Sequence, residues 1–214
     1  RAERLRMQQA EDTREIRNLI ALADCEQVVR YISFFEDNDF SYVVLELMDG
    51  NVEEYLNEST FGTTQATILC KDVIMGLEFL HEQNILHRNL KPGNILYKER
   101  PKPCLKIADF SLSCKVDSKC TTVYGTSVGT RCWIAPEVFA SETNSVDKDR
   151  FVPSSDLFSC GLILHYILSG GKHPFSPIYR SGKSKMQICH ETEANIMNNK
   201  MEGWYVSLSP EESH

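Results

Sequence analysis

Hydrophobic residues recur at three- and four-residue steps in three segments of the chain, and this spacing predicts helices. The first segment covers residues 8–22, the second runs from Thr63 or Thr64 to about residue 83, and the third covers residues 154–168. A threonine at the start of the second segment is a favourable N-cap. In the third segment apolar residues surround the helix axis, so we expect that helix to be buried.

Short runs of β-branched and aromatic residues predict strands between these helices. Two runs, residues 31–36 and 40–46, flank the polar Asp37-Asn38-Asp39, which is typical of a hairpin turn. Further β-like pieces lie at residues 85–97 and 104–108. Together with the helices, they predict an α+β fold with a small strand-containing lobe and a larger helical lobe.

The remaining segments give weaker signals. Residues 52–56 and 191–198 predict short helices, and the basic and polar residues 176–187 predict an exposed loop. Residues 111–132 are rich in Ser, Thr, Gly and Cys and show no hydrophobic period. Because irregular stretches of this length are uncommon in compact domains, we expect this one to be functional or disordered.

Composition disfavours several classes of protein. The net charge of −7 argues against a broad nucleic-acid-binding surface. The longest strongly apolar stretch, residues 157–168, is too short to cross a bilayer, so no membrane segment is predicted in this chain. No two of the eight cysteines have the C-x-x-C spacing of a zinc knuckle, so we expect reduced thiols and an intracellular protein.

Three short clusters carry candidate chemistry. They are His-Arg-Asn-Leu-Lys-Pro-Gly-Asn at 87–94, Asp-Phe-Ser at 109–111 and Ala-Pro-Glu at 135–137. Asp109 follows Asn89 by 20 positions, and Ala135 follows Asp109 by 26. In type, order and spacing they resemble the catalytic loop, the magnesium loop and the end of the activation segment of protein kinases.

Longer stretches indicate a more specific family within the protein kinases. This resemblance extends from about residue 14 to the end of the chain. The sequences "YVVLELMDGNVEEYL", "HRNLKPGNIL", "GTRCWIAPEVF" and "SDLFSCGLILHYILSGGKHPF" are similar to the kinase domain of the kinase/endoribonucleases that sense stress in the endoplasmic reticulum, and to their relative ribonuclease L. The resemblance implies a bilobal protein-kinase fold that is truncated at both ends. Residues 1–48 would form a partial small lobe with the C helix, two strands and the hinge, and residues 49–214 would form the large lobe.

The same resemblance implies a site for ATP or ADP with Mg²⁺. Asp109 and Asn94 would bind Mg²⁺ through oxygen, Lys91 would lie near the transferred phosphoryl group, and Asn89 occupies the position of the catalytic base. The remaining nucleotide-site positions would be Glu15 on the first helix, the gatekeeper Leu45, the hinge residues Glu46, Leu47 and Met48, and Leu96 on the cleft floor. Three further residues would be structural: His87, Glu137 and Asp156.

This sequence departs from the family pattern at three places. Asn89 stands where active kinases carry an Asp, and loss of a general base typically costs about 10²–10⁴-fold in rate. Ser111 stands where Gly is usual. No Lys occurs before Lys71, and Glu3 lies near the position of the phosphate-binding lysine, 12 residues before Glu15. Either that lysine lies upstream, or its charge is reversed.

The segment between the second and third clusters offers hydroxyl groups that phosphorylation could charge. Arg88, beside Asn89, would be the partner of such a phosphate. The candidates are Ser113, Ser118, Thr121, Thr122, Tyr124, Thr126 and Ser127.

Three functions remain open at this stage. The chain could be an active Ser/Thr kinase that phosphorylates a sister protomer or another protein, or a nucleotide-binding switch with weak phosphotransfer that favours a homodimer. It could also be an interaction domain that binds no nucleotide. The resemblance implies a position on the cytosolic face of the endoplasmic reticulum membrane, with the full-length protein anchored in that membrane. No direct nucleic-acid contact and no RNA-cleaving residue can be assigned in this chain.

Overall fold

The computed structural model of the chain describes residues 14–37, 40–116, 131–138, 152–178 and 181–204. Helices and strands are mixed along the chain, which confirms the α+β class. Among the described residues, no helix has both the length and the apolar character that spanning a membrane requires.

The N-terminal part holds one helix and one hairpin. Residues 14–21 are helical (α1), and strand β1 (Tyr31–Glu36) pairs antiparallel with β2 (Ser41–Leu45). The main-chain N–H of Phe40 donates to Asp37 Oδ1 at 2.8 Å, so an aspartate side chain closes the predicted turn.

The larger part is organised around two long helices that pack against each other. Helix α2 (Val52–Glu58) precedes α3 (Thr63–Glu82), and α4 (Pro153–Leu168) packs against α3. The buried face of α3 repeats at helical spacing, and it includes Leu69, Val73, Leu77 and Leu80. Gly62, not a threonine, is the N-cap of α3 and provides no side-chain bond.

Short strands carry the loops that lie between the two parts. Strand β3 (Gly50–Asn51) pairs with β5 (Ile95–Lys98), and β5 pairs with β6 (Cys104–Ile107). Strand β4 (Ile85–Leu86) pairs with β7 (Cys114–Lys115), which lies in the stretch predicted to be irregular. A 3₁₀ turn, Pro92–Asn94, leads directly into β5.

One hydrophobic core joins α1 to the rest of the described chain. Leu19 from α1 and Leu22, directly after it, belong to the same buried cluster as Leu77, Ile107 and Phe110. Main-chain bonds reinforce this contact, because Val29 N donates to Ile107 O at 2.9 Å and Ile107 N donates to Gln27 O at 2.8 Å. Helix α1 is therefore held at a defined position relative to the segment that carries Asp109.

Two features of the C-terminal part differ from the sequence-based expectation. Helix α5 (Lys185–Met197) begins six residues earlier than the helix predicted at 191–198, because Ser184 and Gln187 form a reciprocal capping box. Cys132 and Cys189 are joined by a disulfide across 57 residues, so the expectation that every cysteine is a reduced thiol is wrong.

Candidate active site

A buried carboxylate on α4 positions the loop at residues 87–94. Asp156 Oδ2 accepts the main-chain N–H of His87 at 2.8 Å, and Oδ1 accepts that of Arg88 at 2.9 Å. Asp156 is only 2% exposed, and its Oδ2 also lies 3.1 Å from His81 Nε2. The start of the loop is thus fixed to helix α4.

His87 is a packed, neutral side chain at the base of the loop. Its Nε2 lies 2.9 Å from Ala108 O, and its Nδ1 accepts the main-chain N–H of Asn89 at 3.3 Å. Burial lowers the pKa of His87, although the nearby carboxylate of Asp156 acts in the opposite direction. This imidazole therefore shapes the loop and links it to the segment before Asp109, in agreement with its predicted structural role.

Three polar side chains converge on Asp109. Asn89 Nδ2 donates to Asp109 Oδ2 at 3.1 Å, and Asn94 Nδ2 donates to the same oxygen at 3.0 Å. Ser111 Oγ donates to the other oxygen, Oδ1, at 2.6 Å. Residues separated by 20 positions along the chain therefore meet in one cluster.

The backbone on both sides of this cluster is left-handed. Arg88 has φ +67° and Asp109 has φ +65°, and neither is glycine. Such a conformation costs roughly 1–2 kcal/mol for a residue with a Cβ. It is maintained here by the bonds to Asp156 on one side and by the three donors to Asp109 on the other.

Helix α1 contacts the segment that follows Asp109. Arg14 Nη2 donates to Ser111 O at 2.9 Å, and Asn18 Nδ2 donates to Ser113 Oγ at 2.8 Å. Neither residue was predicted from the sequence, although their spacing of four places them on one helix face. Glu15, the predicted partner of a phosphate-binding lysine, lies on the same helix and is partly buried.

The predicted hinge follows β2 directly. Glu46 N donates to Arg30 O at 2.9 Å, and Leu47 O accepts Lys98 Nζ at 2.7 Å. The main-chain oxygen of Glu46 and the main-chain nitrogen of Met48 take no part in these bonds. The segment therefore offers an acceptor and a donor of the kind that recognise an adenine edge.

The Glu46 side chain holds the hinge in place through two hydrogen bonds. Its Oε1 accepts Arg30 N at 2.7 Å and Lys106 Nζ at 2.6 Å. Burial alone would raise the pKa of Glu46, but these two bonds outweigh it and lower the pKa. Leu45 and Leu96 are partly buried and pack against the main core, which is compatible with their predicted places at the cleft.

Two of the predicted regulatory residues, Ser113 and Arg88, are buried. Ser113 is fully buried and donates to Phe110 O at 2.6 Å, so in this conformation it is not an accessible phosphate acceptor. Arg88 is also buried, and its Nε donates to Leu112 O at 2.6 Å. The other hydroxyl candidates lie outside the described residues: Ser118, Thr121, Thr122, Tyr124, Thr126 and Ser127. Glu3 also lies outside them.

Glu137 and Lys91 occupy defined places near the site. Oε1 of Glu137 accepts a hydrogen bond from Ser155 Oγ at 3.0 Å. Lys91 is the residue that precedes the 3₁₀ turn, and its main-chain oxygen accepts Asn94 N at 2.9 Å. The loop geometry thus fixes Lys91 and Asn94 relative to one another.

The residues around Asp109 fit a small hard cation. Mg²⁺ prefers carboxylate and amide oxygens. The amide nitrogen of Asn94 is directed toward Asn89 O at 2.8 Å and toward Asp109 Oδ2, so its carbonyl oxygen is the atom that can act as a ligand. Asp109 and Asn94 would therefore bind the cation, and no other described residue is needed for this minimal pair.

Comparison with known proteins agrees with this arrangement. The protein kinase domain profile matches residues 2–212, nearly the whole chain. The chain belongs to the protein kinase family. The resemblance of the chain to protein kinases is thereby confirmed, and the α+β architecture is that of a kinase domain.

Two relatives of this kinase domain are kinase/endoribonucleases by name. The serine/threonine-protein kinase/endoribonuclease IRE1 of Oryza sativa subsp. japonica is 30% identical over 223 residues, covering 94% of this chain and 23% of the relative. Human serine/threonine-protein kinase/endoribonuclease IRE2 is 32% identical over 161 residues, covering 72% of this chain and 17% of the relative.

Another relative is a serine/threonine-protein kinase without endoribonuclease in its name. MAP kinase-interacting serine/threonine-protein kinase 1 of Xenopus laevis is 31% identical over 219 residues, covering 94% of this chain and 50% of the relative. The kinase domain thus spans half or less of the length of these three relatives.

Proposed function

We propose that this kinase domain is a nucleotide-binding switch in which phosphotransfer is weak or absent. ATP or ADP would bind with Mg²⁺ between the hinge at residues 46–48 and the cluster around Asp109. The nucleotide-bound form would favour association with a second copy of the protein. A ligand stabilises the state that binds it better, so occupancy alone is sufficient to drive such assembly.

The observation that carries this proposal is the environment of Asn89. Its Nδ2 donates to Asp109 Oδ2, which fixes the orientation of the amide, since the reversed amide would bring two oxygens together. Its Oδ1 is buried and has no hydrogen-bond partner among the described residues. An amide at this position cannot take up the proton of a substrate hydroxyl at neutral pH.

The remaining residues support binding. The main chain of Glu46 and Met48 would meet the adenine edge, with Leu45 and Leu96 on either side. Lys91 would face the terminal phosphate, and Asp109 with Asn94 would hold Mg²⁺, whose charge neutralises the phosphates when it is bound. Without a base at position 89, the barrier to transfer is higher by about 3–5 kcal/mol.

The relatives support the wider setting of this proposal. Two of them are kinase/endoribonucleases by name, so we propose that this domain belongs to a protein of that type. Residues 1–48 would contribute to the small lobe and residues 49–214 to the large lobe. The domain would lie on the cytosolic face of the endoplasmic reticulum membrane and would take part in the response to unfolded protein.

Radiolabelled autophosphorylation separates the proposal from its alternatives. We expect the protein to incorporate little label from [γ-³²P]ATP, and we expect Asn89→Asp to increase incorporation by at least about tenfold. The control is Asn57→Asp, which makes the same chemical change at an exposed position of α2. Equal, rapid labelling of the parent and Asn89→Asp would instead identify an active kinase.

A thermal-shift series with millimolar Mg-ATP and Mg-ADP tests binding. We expect both nucleotides to raise the melting temperature, and sedimentation velocity to show more dimer in their presence. Absence of any shift would favour an interaction domain that binds no nucleotide. A shift without a change in sedimentation would remove the dimerisation part of the proposal.

A further inference from the structure

The cluster around Asp109 has a property that the family motif does not predict. We propose that side-chain donors from Asn89 and Ser111 compete with Mg²⁺ for the Asp109 carboxylate, so that the protein binds a divalent cation weakly and its nucleotide affinity depends little on one. This inference rests on the proposed nucleotide site and adds the cation requirement of that site.

The donors occupy both oxygens of the carboxylate. Oδ2 of Asp109 accepts Asn89 Nδ2 at 3.1 Å and Asn94 Nδ2 at 3.0 Å, and Oδ1 accepts Ser111 Oγ at 2.6 Å. Two of these three donors come from the positions where the chain departs from the kinase pattern. The departures at 89 and 111 are thus linked in space, since both satisfy the same carboxylate.

Electrostatics explains why these changes act on cation binding. An aspartate at position 89 would place a second carboxylate beside Asp109, and two like charges at this distance favour a cation between them. An asparagine removes one charge and presents an N–H group, which repels a cation. A glycine at position 111 has no side-chain donor, whereas Ser111 already engages the second oxygen.

The donors are held in place before any ligand binds. Asn89 and Asn94 are each only 7% exposed, and Asn94 Nδ2 also donates to Asn89 O at 2.8 Å. The main-chain oxygen of Ser111 is fixed by Arg14 at 2.9 Å. A cation that binds Asp109 must therefore displace ordered N–H and O–H donors.

Titration with Mn²⁺ alone, followed by water-proton relaxation, tests the inference without nucleotide. We expect the parent protein to bind Mn²⁺ at least about tenfold more weakly than Asn89→Asp/Ser111→Gly, with the single variants between them. Adding Asp109→Asn to the double variant should abolish the gain. Asn57→Asp adds one carboxylate outside the cluster and should bind Mn²⁺ like the parent. Equal affinity of the parent and the folded double variant would overturn the inference.

Calorimetry with ATP then tests the consequence for nucleotide. We expect the dissociation constant of the parent to change by less than about threefold between excess Mg²⁺ and EDTA, and that of the double variant to rise by at least about tenfold in EDTA. If EDTA weakens ATP binding to the parent as much as to the double variant, the inference is wrong while the proposed nucleotide site stands. If ATP does not bind the parent in either buffer, the proposed site is wrong, and the Mn²⁺ titration still decides the role of the donors.

Discussion

Asp156 accepts the main-chain N–H of Arg88 at 2.9 Å, although 68 positions separate the two residues in the sequence. The same carboxylate accepts His87 N and approaches His81, so one buried charge organises three groups. Arg88 precedes Asn89 directly, and its left-handed backbone turns the chain into the cleft. Helix α4 thereby sets the direction in which the loop presents Asn89 and Lys91.

Replacing this carboxylate should destabilise the whole domain. Asp156→Ala leaves two main-chain N–H groups buried without an acceptor, and we expect a loss of at least about 3 kcal/mol in the free energy of unfolding. Urea denaturation followed by circular dichroism measures this loss. The matched control is Asp24→Ala, at an exposed position, which should change stability by less than about 0.5 kcal/mol. Similar values for both variants would show that Asp156 does not brace the loop.

The core beneath the site should be sensitive to lost volume. Leu80 on α3 is 0% exposed, so Leu80→Ala should cost about 2–5 kcal/mol. Ile74 lies on the same helix but is 48% exposed, and Ile74→Ala should cost much less. Thermal denaturation of the two variants checks the difference. Equal shifts would contradict the described orientation of α3.

Stability should fall in mildly acidic solution because of His87. Its folded-state pKa lies below the ordinary value of about 6.5, so below that pH the unfolded chain takes up the proton more readily. The contribution is therefore fully present above pH 6.5 and is lost as the pH falls through the lower pKa of the folded state. Denaturant unfolding between pH 7.5 and 5 measures the slope.

A variant comparison assigns that slope to one residue. His87→Gln cannot titrate and should show a smaller fall in stability over this pH range, even though it is less stable at pH 7.5. The exposed His190→Gln is the control and should retain the slope of the parent. An unchanged slope in His87→Gln would place the acid sensitivity elsewhere, for example at His165, whose pKa burial also lowers.

The hydrogen bonds between α1 and the segment after Asp109 should keep that segment ordered. Asn18→Ala removes the donor to the buried Ser113 hydroxyl, and we expect it to cost about 1 kcal/mol. Limited proteolysis should then cut residues 111–116 faster, and nucleotide affinity should fall with it. Arg17→Ala changes an exposed residue of the same helix and should leave cleavage unchanged. Unchanged cleavage in Asn18→Ala would show that α1 does not order this segment.

Local periodicity was enough to predict most of the long elements. The predicted helix from residue 63 or 64 to about 83 is observed as Thr63–Glu82, because its apolar residues repeat at helical spacing and end at a polar turn. The start of α5 was missed because a hydrophobic pattern does not mark it. Its signal is the pair Ser184 and Gln187, a capping box that precedes the apolar positions.

The site was predictable only in part. The resemblance of the motifs to kinase loops implied that Asn89, Asn94 and Asp109 lie near one another. The contacts of Arg14 and Asn18 with Ser111 and Ser113 bridge more than 90 positions, and such long-range hydrogen bonds leave no periodic trace in a sequence. The disulfide between Cys132 and Cys189 was missed for the same reason. Ser113 looked like an exposed hydroxyl only because its neighbours are small and polar.

The left-handed backbone at Arg88 and Asp109 has a consequence for how this domain tolerates change. Glycine adopts that conformation without cost, yet it supplies neither a guanidinium group nor a carboxylate. Glycine at either position would relieve the backbone but would leave Leu112 O, or the three donors to Asp109, without their present partner. The two positions should therefore tolerate glycine poorly even where ligand recognition is not required.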